Sequence, residues 1–407
     1  MVAVDRDRDG AREAPHLGES LLTVAAVYGP NASGKSNVVA ALAWLRDAVV
    51  HSLRYWDDEI PIEPFAFGDG PSQKTEFVLE ALVDGIRFEY LLGLDRESVH
   101  YEGLFHYPER KRRRVFEREG LDLKLQRGLG GLSGTRELLT PTTLALAAAR
   151  RFDDPLVTGF SKELTSMAVF GLPRDSRKAS RGLRDPRSIL NLNTTMRWFE
   201  QEEQPTLFEG SSRSEDRRQA LALLQLADLG IVDVMIEKEV ITFLDSPEEP
   251  QFRRRLRLTH RTGNRTAPLE FSEESEGTRT WFRLIGPLLN TLRQGTTMVF
   301  DELDASLHPT LSAELLRIFH SPVLNPHGAQ LIFTSHDTSL LNHLNRDEVW
   351  LTEKGEDGRT RLGALAEFAG ERVRRSQNLE NAYLHGRFGA LPQVDQTALL
   401  RALGLIG

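Results

Sequence analysis

The 407-residue sequence contains no cysteine, which excludes disulfide bonds, thiolate metal sites and a cysteine-based zinc hook. It has no apolar run near the ~20 residues that a membrane-spanning helix needs. The opening segment, MVAVDRDRDG, is too charged for a signal peptide. We therefore expect a cytoplasmic protein with no membrane partner.

The sequence also lacks an excess of positive charge. Its formal net charge of −8 argues against a protein that coats nucleic acid over its whole surface. Two basic clusters leave a local contact with nucleic acid possible, and each can equally be a solvated hairpin edge where charge discourages strand aggregation. The clusters are Arg110, Lys111, Arg112, Arg113 and Arg114, and then Arg253, Arg254, Arg255, Arg257, Arg261 and Arg265.

A glycine-rich stretch, VAAVYGPNASGKSN, is the first informative motif that the sequence contains. Residues 24–28 have the composition of a strand buried on both faces, and residues 37–53 that of an apolar helix. Between them the spacing Gly-x-x-x-x-Gly-Lys-Ser fits a P-loop, in which Lys35 reaches the β- and γ-phosphates of ATP and Ser36 ligates Mg²⁺. A bare glycine turn before an exposed lysine would lack this context. The predicted phosphate-binding residues are Gly29, Pro30, Asn31, Ala32, Ser33, Gly34, Lys35, Ser36 and Asn37.

Polar residues follow two further buried strands. Residues 297–300 lead into Asp301 and Glu302, and the strand in QLIFTSHD leads into His336. Adjacent carboxylates at a strand end suit divided roles, in which Asp301 holds the Mg²⁺ shell and Glu302 orients and deprotonates the attacking water. His336 alone would be structural, but at the next strand end it is placed to sense a γ-phosphate.

The rest of the chain predicts an inserted sheet and a set of helices. Residues 77–92 alternate in hydrophobicity around an Asp84–Gly85 turn, which predicts an antiparallel sheet. The pattern becomes helical from residue 141, with an arginine-rich stretch at 173–187 that we expect to be mobile. Short strands return at 231–258. No repeat or sustained heptad is present, so we expect no long coiled-coil arm.

The order of GPNASGKSN, SEESEGTRT, MVFDELDASLHP and FTSHD resembles the ATP-binding-cassette superfamily, in its non-transporter branch with the chromosome-maintenance, RecF-like and OLD-type ATPases. Within that branch the chain most resembles the small AAA-family ATPases of bacterial phage-defence and abortive-infection loci, with the tail ENAYLHGRFGALP as a further cue. The resemblance covers residues 21–392. It implies an α/β fold: an ABC-ATPase head with a P-loop mixed sheet, an inserted antiparallel β subdomain and a helical lobe.

The resemblance also implies a division of the chain and further site residues. A signature loop would close on the γ-phosphate of the opposite subunit, although the triplet Ser-Glu-Gly could equally be a capped helix start. The implied parts are the P-loop half of the ATPase lobe (1–55), the antiparallel β subdomain (56–140), the helical lobe (141–230), the second half of the ATPase lobe (231–368) and the C-terminal tail (369–407). The implied residues are Ser275, Glu276, Gly277 and Thr278 in the signature loop, Asp304 in the loop joining two sites, and His336 as the switch histidine.

Two features depart from this family. The region where a glutamine loop is expected offers Arg150 and Arg151 instead. Residues 1–20 are too few for the extra pair of strands with which relatives begin, so we expect an earlier start, and the adenine contacts are unassigned.

These motifs predict an ATP-dependent switch, in which a homodimer or higher oligomer encloses two ATP molecules and controls a separate effector, a nuclease or toxin. A RecF-like DNA clamp and a transporter motor are the alternatives. We expect no nuclease in this chain, because its late acidic residues are scattered around a turn: Asp347, Glu353, Glu356 and Asp357. The tail residues Tyr383, Leu384, Arg387, Phe388 and Leu391 are candidate anchors for the effector unless they pack on their own head.

Overall fold

The computed structural model describes residues 1–4, 9–56, 58–172, 186–200, 210–243, 246–368 and 379–385. A six-stranded sheet lies at its centre. All neighbouring strands in it run parallel except the last two in the chain, which form an antiparallel hairpin. In spatial order, with numbers in chain order, the strands are β16 (Thr360–Ala364), β15 (Val349–Lys354), β3 (Val24–Tyr28), β14 (Gln330–Thr334), β13 (Thr297–Phe300) and β9 (Ala168–Phe170).

The central sheet is covered on both faces, which explains why its strands are continuous apolar runs. Along β13, Met298 and Phe300 point into one hydrophobic core, and Val299 between them points into the other. The predicted strands at 24–28 and 297–300 are thereby confirmed.

A five-stranded antiparallel sheet packs into the second of these cores. Residues Asp84 and Gly85 both have positive φ, as the predicted tight hairpin turn requires. The inserted antiparallel sheet is therefore confirmed, and its strands are β4 (Thr75–Val83), β5 (Ile86–Leu94), β6 (Val99–His106), β7 (Arg113–Glu119) and β8 (Asp122–Leu125).

Two further sheets correct the sequence analysis. The short strands expected at 231–258 are the long strands β10 (Ile231–Phe243) and β11 (Ser246–Thr262), to which β12 (Arg265–Glu270) adds a third. The front of the chain does contain a pair of strands, β1 (Ala11–Ala14) and β2 (Glu19–Leu22), as a separate hairpin. Strands of four residues carry too little alternation to be recognised from sequence.

The helices from residue 141 onward are confirmed, but they divide between the two cores. The pair α2 and α3 packs with α1 against the antiparallel sheet, and the pair α4 and α5 packs with α6 on the other face. The five-part division of the chain stays a prediction, and residues 173–185, within the stretch expected to be mobile, lie outside the described residues. The helices are α1 (Lys35–Tyr55), α2 (Ala145–Ala149), α3 (Pro155–Thr165), α4 (Pro186–Phe199), α5 (Gly210–Ala227), α6 (Glu276–Gln294), α7 (Leu303–Ser306), α8 (Pro309–His320), α9 (Leu365–Phe368) and α10 (Leu379–Leu384).

Candidate nucleotide-binding site

Three loops converge where β3, β13 and β14 end, at one edge of the central sheet. Parallel strands end at a common edge, and ligands of open α/β sheets bind there. The loops surround a cleft of about 740 Å³. Its lining residues are Asn31, Ala32, Gly34, Lys35, Ser36, Asn37, Glu302 and His336.

The glycines of the P-loop are required by close backbone approach. A Cβ on Gly29 would lie 2.2 Å from Thr352 Oγ1, and one on Gly34 would lie 2.1 Å from Thr360 Oγ1. Gly34 also has φ +99°, a conformation that side-chain-bearing residues rarely adopt. The turn before α1 is therefore pressed against the β15–β16 hairpin.

Threonines of that hairpin brace the loop, and sequence reasoning missed them. The Thr352 hydroxyl lies 2.6 Å from Ser33 Oγ and donates to the Tyr28 carbonyl at 3.2 Å. Thr360 Oγ1 donates to the Ser33 carbonyl at 2.9 Å. No motif could have identified these residues, because each lies more than 300 positions from its partner.

Lys35 occupies the inside of the loop. Its side chain is buried, and Nζ donates to the carbonyls of Gly29 at 2.9 Å and Pro30 at 3.0 Å. Burial lowers the pKa of Lys35, and the Glu302 and Asp301 carboxylates oppose that shift. An anion beside Nζ would therefore favour the charged lysine.

Asp301 and Glu302 are linked through one threonine. Asp301 is buried, and its Oδ1 accepts a hydrogen bond from Thr334 Oγ1 at 2.7 Å. The same hydroxyl accepts from the Glu302 N–H at 2.8 Å. Glu302 is exposed and has φ +52°, which costs a residue with a side chain about 1–2 kcal/mol. Strained backbone of this kind concentrates at functional sites.

Gly171, after β9, is a second residue that sequence reasoning missed. Its φ is +80°, and a Cβ there would lie only 1.8 Å from the Asp301 carbonyl oxygen. The Asp301 N–H donates to the Phe170 carbonyl at 2.9 Å. The end of β9 thus holds the Asp301 backbone in position.

Asp304 connects the loop after β13 to the loop after β14. Its Oδ1 accepts from Ser335 Oγ at 2.8 Å and from the His336 N–H at 3.1 Å. The His336 side chain is exposed at the cleft. The Asp304 hydrogen bonds therefore fix the loop after β13 relative to the loop after β14.

The predicted signature residues lie elsewhere. Ser275 caps α6, and its Oγ accepts from the Thr278 N–H at 3.1 Å. Ser275, Glu276 and Gly277 are exposed, and the four residues from Ser275 to Thr278 do not line the cleft. Arg150, at the expected glutamine loop, donates to the Val49 carbonyl of α1 at 3.0 Å.

Ser36 lines the cleft, and Asp301 lies beside it at the same sheet edge without lining it. Their oxygens fit Mg²⁺, which keeps waters and uses one or two protein oxygens with substrate phosphates. Ser36 offers a half-buried hydroxyl, and Asp301 a buried carboxylate that accepts one side-chain hydrogen bond within the described part of the chain. Within the described part of the chain, no group of three or more His, Cys, Asp or Glu side chains is arranged so that it could hold a metal ion.

Most arginines of the two basic clusters are paired with carboxylates where their side chains are described. Arg112 Nη2 lies 2.8 Å from Glu89, and its guanidinium is 3.6 Å from the Phe105 ring centre. The other described ion pairs join Arg113 to Glu109, Arg114 to Glu117, Arg254 to Glu200, Arg257 to Glu237, and both Arg255 and Arg257 to Glu270.

For one tail residue the structure decides between the two alternatives that the sequence left open. Tyr383 is buried, with its ring centre 5.9 Å from that of Tyr28, so this candidate anchor packs on its own head. Leu384 is exposed, whereas Arg387, Phe388 and Leu391 lie outside the described residues. The predicted turn around Glu356 and Asp357 is confirmed as the β15–β16 hairpin, and Asp347 accepts from the Val4 N–H at 2.8 Å.

The sequence matches the profile of the family described as "AAA domain, putative AbiEii toxin, Type IV TA system" over residues 24–126 and 170–342, which together are most of the chain. A comparison with curated proteins found no match.

Among solved structures, the chain is similar to heads of SMC proteins. An SMC head bound to the C-terminal winged-helix domain of ScpA is 12% identical, with a TM-score of 0.36 and coverage of 85% of this chain and 91% of that chain. The SMC head domain from Thermotoga maritima is 13% identical, with a TM-score of 0.37 and coverage of 83% and 89%.

Proposed function

Since the chain belongs to this family of AAA domains, we propose that it binds ATP with Mg²⁺ in the cleft and hydrolyses it. The main support for this proposal is the position of Lys35. Its side chain is buried inside a glycine loop, at the same sheet edge as Asp301 and Glu302. A buried ammonium beside backbone N–H groups of a helix N-terminus suits a polyphosphate.

Each group at the cleft has a distinct proposed role. Lys35 would exchange its two carbonyl acceptors for phosphate oxygens. Ser36 and Asp301 would hold Mg²⁺, which when bound neutralises charge on the β- and γ-phosphates. Glu302 would orient the attacking water and take its proton, and His336 would donate a hydrogen bond to the γ-phosphate.

We further propose that each site is completed by a second copy of the chain. The four signature residues do not line the cleft of their own head, and three of them, Ser275, Glu276 and Gly277, are exposed at the start of the 19-residue helix α6. Ser275 caps the Thr278 N–H. The other amides of the first turn can bind an anion presented by a partner. ATP would then drive formation of a homodimer.

The dimer would act as a switch on a separate effector, a nuclease or toxin, in bacterial phage defence. The ion pairs of the basic clusters support this reading over a RecF-like clamp, because paired arginines are less available to a phosphate backbone. In the part of the chain that the structure describes, no helix is long and apolar enough to cross a membrane.

The test compares Glu302→Gln with Lys35→Ala. Glu302→Gln should keep affinity for a fluorescent ATP analogue and lose at least about 100-fold in phosphate release, because an amide cannot accept the proton of water. It should also form a dimer with ATP in analytical ultracentrifugation. Lys35→Ala should lose nucleotide affinity.

Three outcomes would each contradict a part of this proposal. Wild-type turnover by Glu302→Gln would show that another group is the base. A Glu302→Gln protein that binds ATP and stays monomeric would overturn the shared site. Tight, salt-dependent binding of duplex DNA by the ATP-bound dimer would favour the clamp instead.

A further inference from the structure

The segment that leads into α6 is strongly acidic. Glu270, Glu273, Glu274 and Glu276 all lie within five residues of Ser275. A helix N-terminus attracts anions, but neighbouring carboxylates repel them over a Debye length of about 8–10 Å. An approaching triphosphate would be opposed unless these carboxylates were neutralised.

Strand β11 supplies the counter-charge for Glu270. Arg255 Nε and Arg257 Nε donate to Glu270 Oε1, at 2.8 Å and 2.6 Å. Arg257 and Glu270 are also register partners between β11 and β12. These contacts lower the pKa of Glu270, since two guanidinium groups hydrogen-bond its ionised form.

Strand β11 also contacts Glu274, the residue just before the helix cap Ser275. His260 Nε2 lies 2.7 Å from Glu274 Oε1, and the Glu274 side chain is only 6% exposed. Glu273, between the two anchored glutamates, accepts from the Glu270 N–H at 3.2 Å. The backbone from Glu270 to Ser275 is therefore tied to β11 at two points.

We propose that Arg255, Arg257 and His260 are positioning residues: the two arginines neutralise Glu270 and His260 holds Glu274, so that the start of α6 can receive a partner's γ-phosphate. This inference rests on the proposed function, which assigns Ser275–Thr278 to that phosphate. It assigns these two arginines of the second basic cluster to the site of the dimer and not to nucleic acid. These ion pairs are partly exposed, and such pairs contribute little to stability, so their removal should leave the fold intact.

The experiment uses the full chain with Glu302→Gln as the parent. Adding Arg255→Gln and Arg257→Gln should weaken ATP-driven dimerisation about tenfold or more, because an uncompensated like charge disfavours association. Affinity of the monomer for a fluorescent ATP analogue should be unchanged. A further Glu270→Gln should restore dimerisation, since the amide removes the charge and still accepts hydrogen bonds. Replacing both arginines with lysine keeps the positive charges and should retain most of the ATP-driven dimerisation.

The matched control is Arg261→Gln with Arg265→Gln. This control also removes two positive charges from the sheet that contains β11, and neither Arg261 nor Arg265 forms an ion pair with Glu270. The control should dimerise like the parent, and circular dichroism should verify folding of every variant.

The outcomes separate the two proposals. A parent that does not dimerise with ATP overturns the proposed function and this inference with it. A parent that dimerises, with an Arg255→Gln, Arg257→Gln variant that dimerises equally well, overturns only this inference. A third outcome is that Glu270→Gln does not restore dimerisation and that the arginine variant also binds duplex DNA more weakly. The arginines would then contact the phosphate backbone of DNA, and this inference would again be overturned.

Discussion

At the scale of single residues, hydrogen bonds from small hydroxyl side chains position the loops around the cleft. Thr334 bridges the Asp301 carboxylate and the Glu302 N–H, and Ser335 donates to Asp304. Thr352 reaches the P-loop through Ser33. Each hydroxyl both donates and accepts, which lets one side chain link two loops.

Thr334→Val should separate this positioning role from binding. Valine keeps the shape and removes both hydrogen bonds, at a cost of about 1–3 kcal/mol for the groups left unpaired. We expect kcat to fall about tenfold or more, with little change in ATP affinity, because Lys35 and the P-loop do not contact this hydroxyl. Steady-state phosphate release measures both quantities. Thr334→Ser keeps the hydroxyl and should retain activity, and wild-type kcat in Thr334→Val would contradict the assignment.

Helix α6 is the element that joins the signature residues to β13. Pro287 interrupts its hydrogen bonding, since proline has no N–H to donate to the Arg283 carbonyl. Thr195 of α4 compensates: its hydroxyl donates to Arg283 O at 3.3 Å and accepts from the Gly286 N–H at 2.9 Å. A threonine from a neighbouring helix thus provides hydrogen bonds to the backbone groups beside the proline in α6.

Thr195→Val should lower the free energy of unfolding by about 1–3 kcal/mol, because it leaves buried backbone groups unpaired. Urea denaturation followed by circular dichroism gives the value. In a Pro287→Ala background the helix regains an N–H for Arg283, so the same substitution should cost less. Equal costs in the two backgrounds would show that Thr195 does not act through the proline.

At the scale of the whole molecule, the proposed dimer makes a quantitative prediction. Ser275→Arg should place a cation in the partner's site, and Lys35→Ala should disable its own P-loop, so each variant alone should be nearly inactive. In a mixed dimer one site keeps an intact P-loop and an intact signature loop, and the other has neither. With random mixing, half of the dimers are mixed, and ATPase activity should recover to about a quarter of wild type.

The control for this mixture replaces Lys35→Ala with the double variant Ser275→Arg, Lys35→Ala. No complete site can then form, so activity should stay at the background level. Failure of the first mixture to recover, with both proteins folded, would show that the sites are not shared between subunits.

The parts of the site that sequence predicted are local. Gly34, Lys35 and Ser36 lie at the start of a helix that follows a strand, and Glu302 lies just after another strand, so a few neighbouring residues carry each motif. The central strands, the antiparallel insertion and the helices after residue 141 were predictable for the same reason, because hydrophobic periodicity is read over short windows.

The parts that sequence missed depend on contacts between distant segments. Thr352 and Thr360 matter only because β15 pairs with β3, and Gly171 matters only because β9 pairs with β13. The extent of β10 and β11 was underestimated. Sequence left open whether Tyr383 anchors a partner or packs on its own head, and its contact with Tyr28 decides for the head.

The sequence alone therefore determined which chemical groups are present and which short elements carry them, because backbone propensity and apolar period act between near neighbours. Only the tertiary structure decided which strand ends share an edge, which hydroxyls bridge the loops, and which arginines are neutralised by glutamates. These depend on strand order and register, and strand pairing is set by burial of the whole sheet between two cores.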